Sequence, residues 1–294
     1  MELFITTLVT GVMVGSIYAL VALGWCLIYK CSGVLNLAMG ELTLIGAYVC
    51  LSFYNWGVPF ILALIFTMII GIILGFLTER IFLRKLIGEP ILTVIMVTVG
   101  LSFFFRGIVE FIWGTDTRVF SPPVFPLKPI VVGPVVIGQV YLWSFVAAII
   151  LLVAFVSFFK YTRWGLSMQA CADDEMAALS LGVSAKFVYA MAWAIAFMAA
   201  GVGGTLLGNI NGLNISVGYL GLLVLPAVVL GGLNSVPGAI VGGIIIGVLQ
   251  NLSGAYLDQY FPGGVKEIAP FAFMVIILLF LPYGLWGWER IERV

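Results

Sequence analysis

Gly165-Leu-Ser-Met-Gln-Ala-Cys-Ala-Asp-Asp-Glu-Met-Ala-Ala-Leu-Ser-Leu-Gly182 is a polar, acidic island between two long apolar runs. Its flanks decide the fold. Residues 140–160 are almost wholly apolar and stop at Lys160-Tyr-Thr-Arg163, and residues 187–208 are apolar again. A helix that crosses lipid needs about 20 mostly apolar residues, and both flanks supply them. The island therefore reads as a segment held out of lipid between two spans. Residues 168–181 are good helix formers, with Asp173, Asp174 and Glu175 toward the N-terminal half, where the macrodipole favours acids. Ala170, Cys171, Ala177, Ala178 and Leu181 share a small apolar face at helical spacing. Gly182 is placed to cap the C-terminus, and Ser184 to cap the next span. An acidic polar face is poorly suited to anionic lipid, so contact with another protein fits it better than an interfacial helix does.

The rest of the chain has the character of the flanks. Of 294 residues, 63% are hydrophobic and 9% charged, against about 25% charged in soluble domains. Such a chain cannot cover a globular surface with polar groups, so lipid is its solvent. One polytopic membrane domain over residues 1–294 is expected. Candidate spans are 5–28, 33–53, 58–78, 90–112, 140–160, 187–208, 217–232, 237–257 and 267–287. The seventh is short and rich in Gly and Pro, so eight spans plus a re-entrant segment is equally admissible. The expected fold is an all-α membrane protein with 8–9 transmembrane helices. The N-terminus lacks the basic region of a cleaved signal peptide, so the first run is expected to be a retained span.

Loop cations set orientation. With nine spans and the C-terminus inside, Lys30, Arg80, Arg84, Lys85, Lys160, Arg163, Lys186, Arg290 and Arg293 fall on the cytoplasmic side. Arg106, Arg118, Lys128 and Lys266 fall on or near the outer side. That bias places the island, 165–182, in the cytoplasm.

Several function classes drop out. Net charge is zero, so no nucleic-acid footprint exists. There are no histidines, which removes the commonest metal ligand and general base. Cys26, Cys31, Cys50 and Cys171 lie in or beside apolar runs, at spacings of neither a zinc site nor a redox pair, and read as small buried hydrophobes. No Gly-x-x-x-x-Gly-Lys-[Ser/Thr] phosphate loop is present, and neither is a His-Glu-x-x-His or Gly-x-Ser-x-Gly motif. The chain is therefore read as no enzyme and as holding no metal.

Polar residues inside apolar runs are functional candidates. Asn36, Gly40 and Glu41 lie in Gly33-Val-Leu-Asn-Leu-Ala-Met-Gly-Glu-Leu-Thr-Leu-Ile-Gly46. A helix break at Gly40 leaves Glu41 open to two readings, a lining residue of a transport path or a cap on the helix that follows. Arg106 and Glu110 are four apart on one helix face and are predicted to pair. Gly11 and Gly15, and Gly201, Gly203, Gly204 and Gly208, are close-packing faces. The basic 79–89 connection is topological. The outer loop 113–139 carries Pro122, Pro123, Pro126, Pro129 and Pro134 and should hold no long helix; it is either a rigid cover or a contact for an external partner. Gly231-Gly-Leu-Asn-Ser-Val-Pro-Gly238 reads as a tight turn. The interrupted segments 36–41 and 219–232 are candidates for corresponding positions in two structural halves. Pro282-Tyr-Gly-Leu-Trp-Gly-Trp288 reads as an aromatic anchor ending the last span.

Five stretches together resemble the LivH-type permease family of branched-chain amino acid ABC importers over nearly the whole chain. They are Gly15-Ser-Ile-Tyr-Ala-Leu-Val-Ala-Leu-Gly24, Gly33 to Gly46, Trp164 to Leu207 with Ala172-Asp-Asp and Ala178-x-x-x-Gly182, Gly231 to Ala239, and Leu281-Pro-Tyr-Gly-Leu. Met39 stands where the family commonly has His, so no proton role is carried over to that point. The resemblance implies a permease subunit with a second, homologous permease, two cytoplasmic ATPases that bind ATP and Mg, and a periplasmic binding protein. It implies that 165–182 is a coupling helix, with Asp173, Asp174, Ala178 and Gly182 meeting the ATPase. Ala178 and Gly182 would be kept small for docking. Asn36 and Glu41 are candidates for the translocation path. Bacterial-type inner membrane, with the C-terminus cytoplasmic, is the implied location. Branched-chain or related amino acids are the implied solute, though the family also moves urea and amides. The alternative is a stand-alone channel or secondary transporter, for which Glu41 is the one well-placed intramembrane acid.

Overall fold

A computed structural model describes residues 2–86, 89–126, 128–133, 135–261 and 264–287. In chain order the helices are α1 (Glu2–Ser32), α2 (Met39–Asn55), α3 (Phe60–Thr78), α4 (Ile91–Trp113), α5 (Gln139–Tyr161), α6 (Arg163–Asp173), α7 (Glu175–Ser180), α8 (Ala185–Asn211), α9 (Leu220–Gly231), α10 (Val236–Leu257) and α11 (Val265–Phe280). A π-helical turn (Glu79–Leu83) and a 3₁₀ turn (Arg84–Leu86) prolong α3, and a 3₁₀ turn (Ile215–Tyr219) leads into α9. Six helices among the described residues are long and apolar enough to cross a membrane. The shorter α2, α9 and α11 complete the nine apolar segments read from the sequence.

α1 and α8 form the buried centre, where nearly every residue from Ile17 to Ile28 and from Ala190 to Gly208 is out of solvent. Glycines set how closely their neighbours approach. A Cβ on Gly15 would stand 2.7 Å from the Ile244 backbone, and one on Gly11 2.8 Å from that of Val248, so α1 and α10 cross in contact. Gly46 of α2 meets Gly201 of α8 in the same way. Without a hydrophobic drive between helices in lipid, this packing is what holds them together. The outer faces of α3, α4, α5 and α11 stay apolar and exposed, as in Ile69, Phe103, Ile150 and Ile276. All four cysteines are free and buried.

Several of the chain's cations gather at one end of the bundle. There, Arg80, Arg84 and Lys186 line one cavity, and the tilted ring contact of Trp164 with Phe187 brings Arg163 beside the start of α8. This is the basic end. α1 begins at the opposite end, and residues 281–287 finish at the basic end, as nine membrane segments require.

The structure corrects several boundaries. The second helix starts at Met39 rather than 33, because α1 continues to Ser32 and residues 33–38 are not helical. The last helix ends at Phe280, not 287. Residues 281–287 instead turn back onto the α9–α10 corner, where Leu285 N–H donates to Leu230 O (2.8 Å) and Trp286 N–H to Gly231 O (3.1 Å). Trp288 and the charged tail with Arg290 and Arg293 lie outside the described residues. Among its described residues the loop 113–139 has no long helix, but it does have a hairpin. Strand β1 (Pro129–Val132) pairs antiparallel with β2 (Val135–Gly138), so the fold is helical with one small β element. Pro129 is tolerated because it opens the strand. The predicted turn between α9 and α10 is present, with the Ser235 hydroxyl accepting from Gly238 N–H (3.1 Å).

Candidate functional site

The two interrupted segments meet. Residues 33–38 run non-helically from the basic end, and Met39 then packs against Gly24 of α1, roughly two turns inside that helix's end. Asn36 shapes the bend: its Oδ1 accepts from Ala38 N–H (3.1 Å), while Thr98 of α4 donates to Leu35 O (3.2 Å). Fully buried, Asn36 serves the turn here and lines no open surface. From the other side, the 215–219 turn brings in the start of α9. A Cβ on Gly40 would run into the Gly218 carbonyl and one on Gly221 into the Gly40 backbone, while one on Gly218 would meet the Glu41 carboxylate. Two helix N-termini therefore converge deep in the bundle, and their dipoles make the spot favourable for negative charge.

Glu41 fills it. The carboxylate is in the first turn of α2, against Gly218, with its side chain 5% exposed. Arg106 of α4 pairs with it at 2.9 Å through Oε1, and the Ser102 hydroxyl donates to the same oxygen at 3.4 Å. Arg106 also lies over the Tyr219 ring, 5.0 Å from its centroid. Neither Oε2 of Glu41 nor Nε of Arg106 has a hydrogen-bond partner among the described residues. The predicted Arg106–Glu110 pair does not form. Glu110 is exposed on α4, whereas Glu41 is buried, and the desolvated carboxylate holds the cation far more strongly than a solvated one. Arg106 thus turns into the bundle, toward Glu41. Glu41 sits in the first turn of α2, where no side-chain capping bond is made, and it carries the one ion pair seen in the bundle interior among the described residues.

The island is two helices rather than one. Thr162 caps α6, its hydroxyl accepting from Gly165 N–H (3.0 Å). Gly165 lies under the Phe158 and Phe159 carbonyls, where a Cβ would stand 2.6 and 2.5 Å from them. The chain thereby folds back tightly beneath α5, and Gln169 donates to Phe159 O (2.7 Å). Asp174 ends α6 and caps α7, its Oδ1 accepting from Ala177 N–H (2.9 Å). The far end closes as expected. Gly182 has φ +86°, its N–H donates to Leu179 O (3.0 Å), and Val183 N–H donates to Ala178 O (3.0 Å), which is a Schellman termination. Ser184 occupies the N-cap position of α8, but its side chain makes no capping bond.

Ala178 is not available for docking through its side chain. It is 2% exposed and belongs to the buried core, as do Cys171 and Met168. The predicted apolar face splits, because Ala177 and Leu181 point away from that core. Sequence reasoning passed over Met176 and grouped Leu181 with the small apolar face. Met176 (75% exposed) and Leu181 (84%) stand in solvent beside Asp173 and Glu175. Burial, with the nearby Glu175 charge, pushes the Cys171 thiol up from its ordinary range. A cavity of about 230 Å³ lies between α7 and the α1–α2 break, with Glu175, Tyr189, Gly33 and Leu35 in its wall.

A multi-pass bundle of this kind, with a charge pair locked between interrupted segments and a small helical pair standing off one end, is that of a polytopic membrane protein. Its sequence over residues 7–281 matches the family described as "Branched-chain amino acid transport system / permease component", and the chain belongs to that family. It is 31% identical to the high-affinity branched-chain amino acid transport system permease protein LivH of Salmonella typhimurium, across 99% of this chain and 98% of that protein. It is 29% identical to the corresponding protein BraD of Pseudomonas aeruginosa, again across 99% and 98%. Among solved structures, PsaBC from Streptococcus pneumoniae in complex with Fab superposes with a TM-score of 0.50 at 14% identity, covering 93% of this chain and 90% of that one, a likeness of fold. The chain is an ABC-transporter permease subunit, a transport protein and not an enzyme.

Proposed function

We propose that this chain is one half of the translocation path of a binding-protein-dependent importer for branched-chain or related amino acids. Its partners are a second homologous permease, two cytoplasmic ATPases that carry ATP and Mg, and a periplasmic binding protein, and it sits in a bacterial-type inner membrane with its basic end and C-terminus in the cytoplasm. Full-length likeness to permeases named for that solute class supports the reading. The absence of a phosphate loop from the sequence supports a separate ATPase.

The observation that carries the mechanism is the outward face of α6–α7. Met176 and Leu181 are large apolar side chains in solvent, flanked by Asp173, Asp174 and Glu175. Such a patch on a short, well-capped element fits a protein partner. Asp174, Ala178 and Gly182 set the shape of that element, and Asp173 faces outward. A push on α7 reaches the cavity it shares with residues 33–35, and through that segment the Asn36 bend and Glu41. The half-helix N-termini and the Glu41–Arg106 pair then shift between two arrangements, and the size of that shift is limited by differential affinity.

Reconstitution tests this reading. Liposomes holding the chain alone should take up no leucine, and liposomes holding the co-purified assembly should do so only with internal ATP and external binding protein. Uptake by the chain alone would instead support a stand-alone channel or secondary transporter.

A further inference from the structure

At the basic end, α3 and α8 diverge and leave a cavity of about 620 Å³. Arg80, Arg84 and Lys186 form its rim, and Ile73, Phe76 and Phe187 form its wall. The charges on that rim are not balanced. Glu79 is committed to Arg84 in a two-pronged pair (2.8 and 3.2 Å), while Arg80 and Lys186 form no ion pair among the described residues. Two exposed cations are therefore left over. Deeper along the same two helices, one residue on from Ile73 and Ala190, a second groove of about 330 Å³ runs between α3, α5 and α8. Ile72, Met68, Ala154, Met191, Ile195 and Met198 line it, with no charged group. Flanking residues of α3, such as Ile65, Ile69 and Ile73, are exposed and apolar, so this face lies against the bilayer.

We propose that these two neighbouring cavities together form a binding site for one anionic phospholipid. Its phosphate lies between Arg80 and Lys186, and an acyl chain runs into the apolar groove. Basic pockets between helices at a membrane surface take acidic lipid headgroups, and here the apolar groove neighbours the basic cavity. The same rim touches the island. Ser184 and Phe187 also wall a neighbouring cavity with Leu181, Gly182 and Trp164, so the bound lipid braces the C-terminal end of α7.

The test is lipid retention by the full chain, purified in mild detergent as its intact assembly and measured by native mass spectrometry against added phosphatidylglycerol or phosphatidylcholine. Phosphatidylglycerol should be retained roughly tenfold better. Arg80→Gln with Lys186→Gln should reduce it to the phosphatidylcholine level, and Lys85→Gln, outside the groove, should leave it unchanged. Ala154→Trp, which fills the apolar groove from an exposed position, should weaken retention of both lipids. Inorganic phosphate at millimolar concentration should not compete. Unchanged phosphatidylglycerol retention in the double variant would overturn the site, as would an equal loss in Lys85→Gln. Competition by phosphate would reduce it to an anion site. Loss of a protein subunit with lipid retention intact would assign the rim to that subunit instead.

Discussion

Glu41 of α2 and Arg106 of α4 stand 2.9 Å apart, 65 positions apart in sequence, where the N-terminal ends of α2 and α9 converge. The pair ties three elements together, since Arg106 also lies on Tyr219. Glu41 cannot be stripped of its partner without leaving a buried charge. Arg106→Gln should cost roughly 3 kcal/mol, the low end for a buried pair because Arg106 is about a quarter exposed. The Glu41→Gln/Arg106→Gln double variant should recover most of that in a detergent melt, while neither variant transports normally. Equal melts for single and double variants would show that the pair is not coupled.

Gly40 is the tightest point of the same junction. A Cβ there runs into the Gly218 carbonyl, so Gly40→Ala should destabilise by at least about 1–3 kcal/mol. Gly100, in the same bundle with open space around it, is the control: Gly100→Ala should be neutral or stabilising. Thermal unfolding of the two variants in parallel separates close packing from general glycine effects.

Nine apolar segments, the island, the α9–α10 turn and the glycine faces were all legible from the sequence, because span length, breaker residues and small-residue spacing are local signals. The partner of Arg106 was not. The i, i+4 rule sees Glu110 on the same helix, whereas burial of Glu41 on another helix decides the pairing. Ala178 was legible as part of an apolar face, but which face turns inward depends on α6 and α8 packing around it. Asp173 and Asp174 are equivalent in propensity, and only the bend between α6 and α7 makes the second one a cap.

That cap has a measurable consequence. Asp174→Ala should cost about 1 kcal/mol, concentrated in α7, and Asp173→Ala, which removes no capping bond, should cost less. Amide hydrogen exchange across 175–181 should rise for the first variant only. Ala178→Leu overfills a buried site and should destabilise by about 1–3 kcal/mol, which distinguishes a packing residue from a docking one.

Orientation is open to labelling, because the natural cysteines give little background. All four are buried, and the raised Cys171 pKa keeps that thiol protonated at neutral pH, so its reactivity should increase only as the medium becomes alkaline. In intact cells at pH 7, an impermeant maleimide should label Val131→Cys in the exposed hairpin, and should reach Met176→Cys only after permeabilisation. The reverse order would invert the chain in the membrane.

We propose that work enters through the outward face of α6–α7. Met176→Asp with Leu181→Asp alters that face while leaving the buried side, Cys171, Met168 and Ala178, untouched. The direct measurement is ATP-driven leucine uptake by proteoliposomes containing the assembled transporter with this doubly substituted chain. Uptake should fall at least tenfold, with the chain still inserted and its melt unchanged. Undiminished uptake would contradict the account.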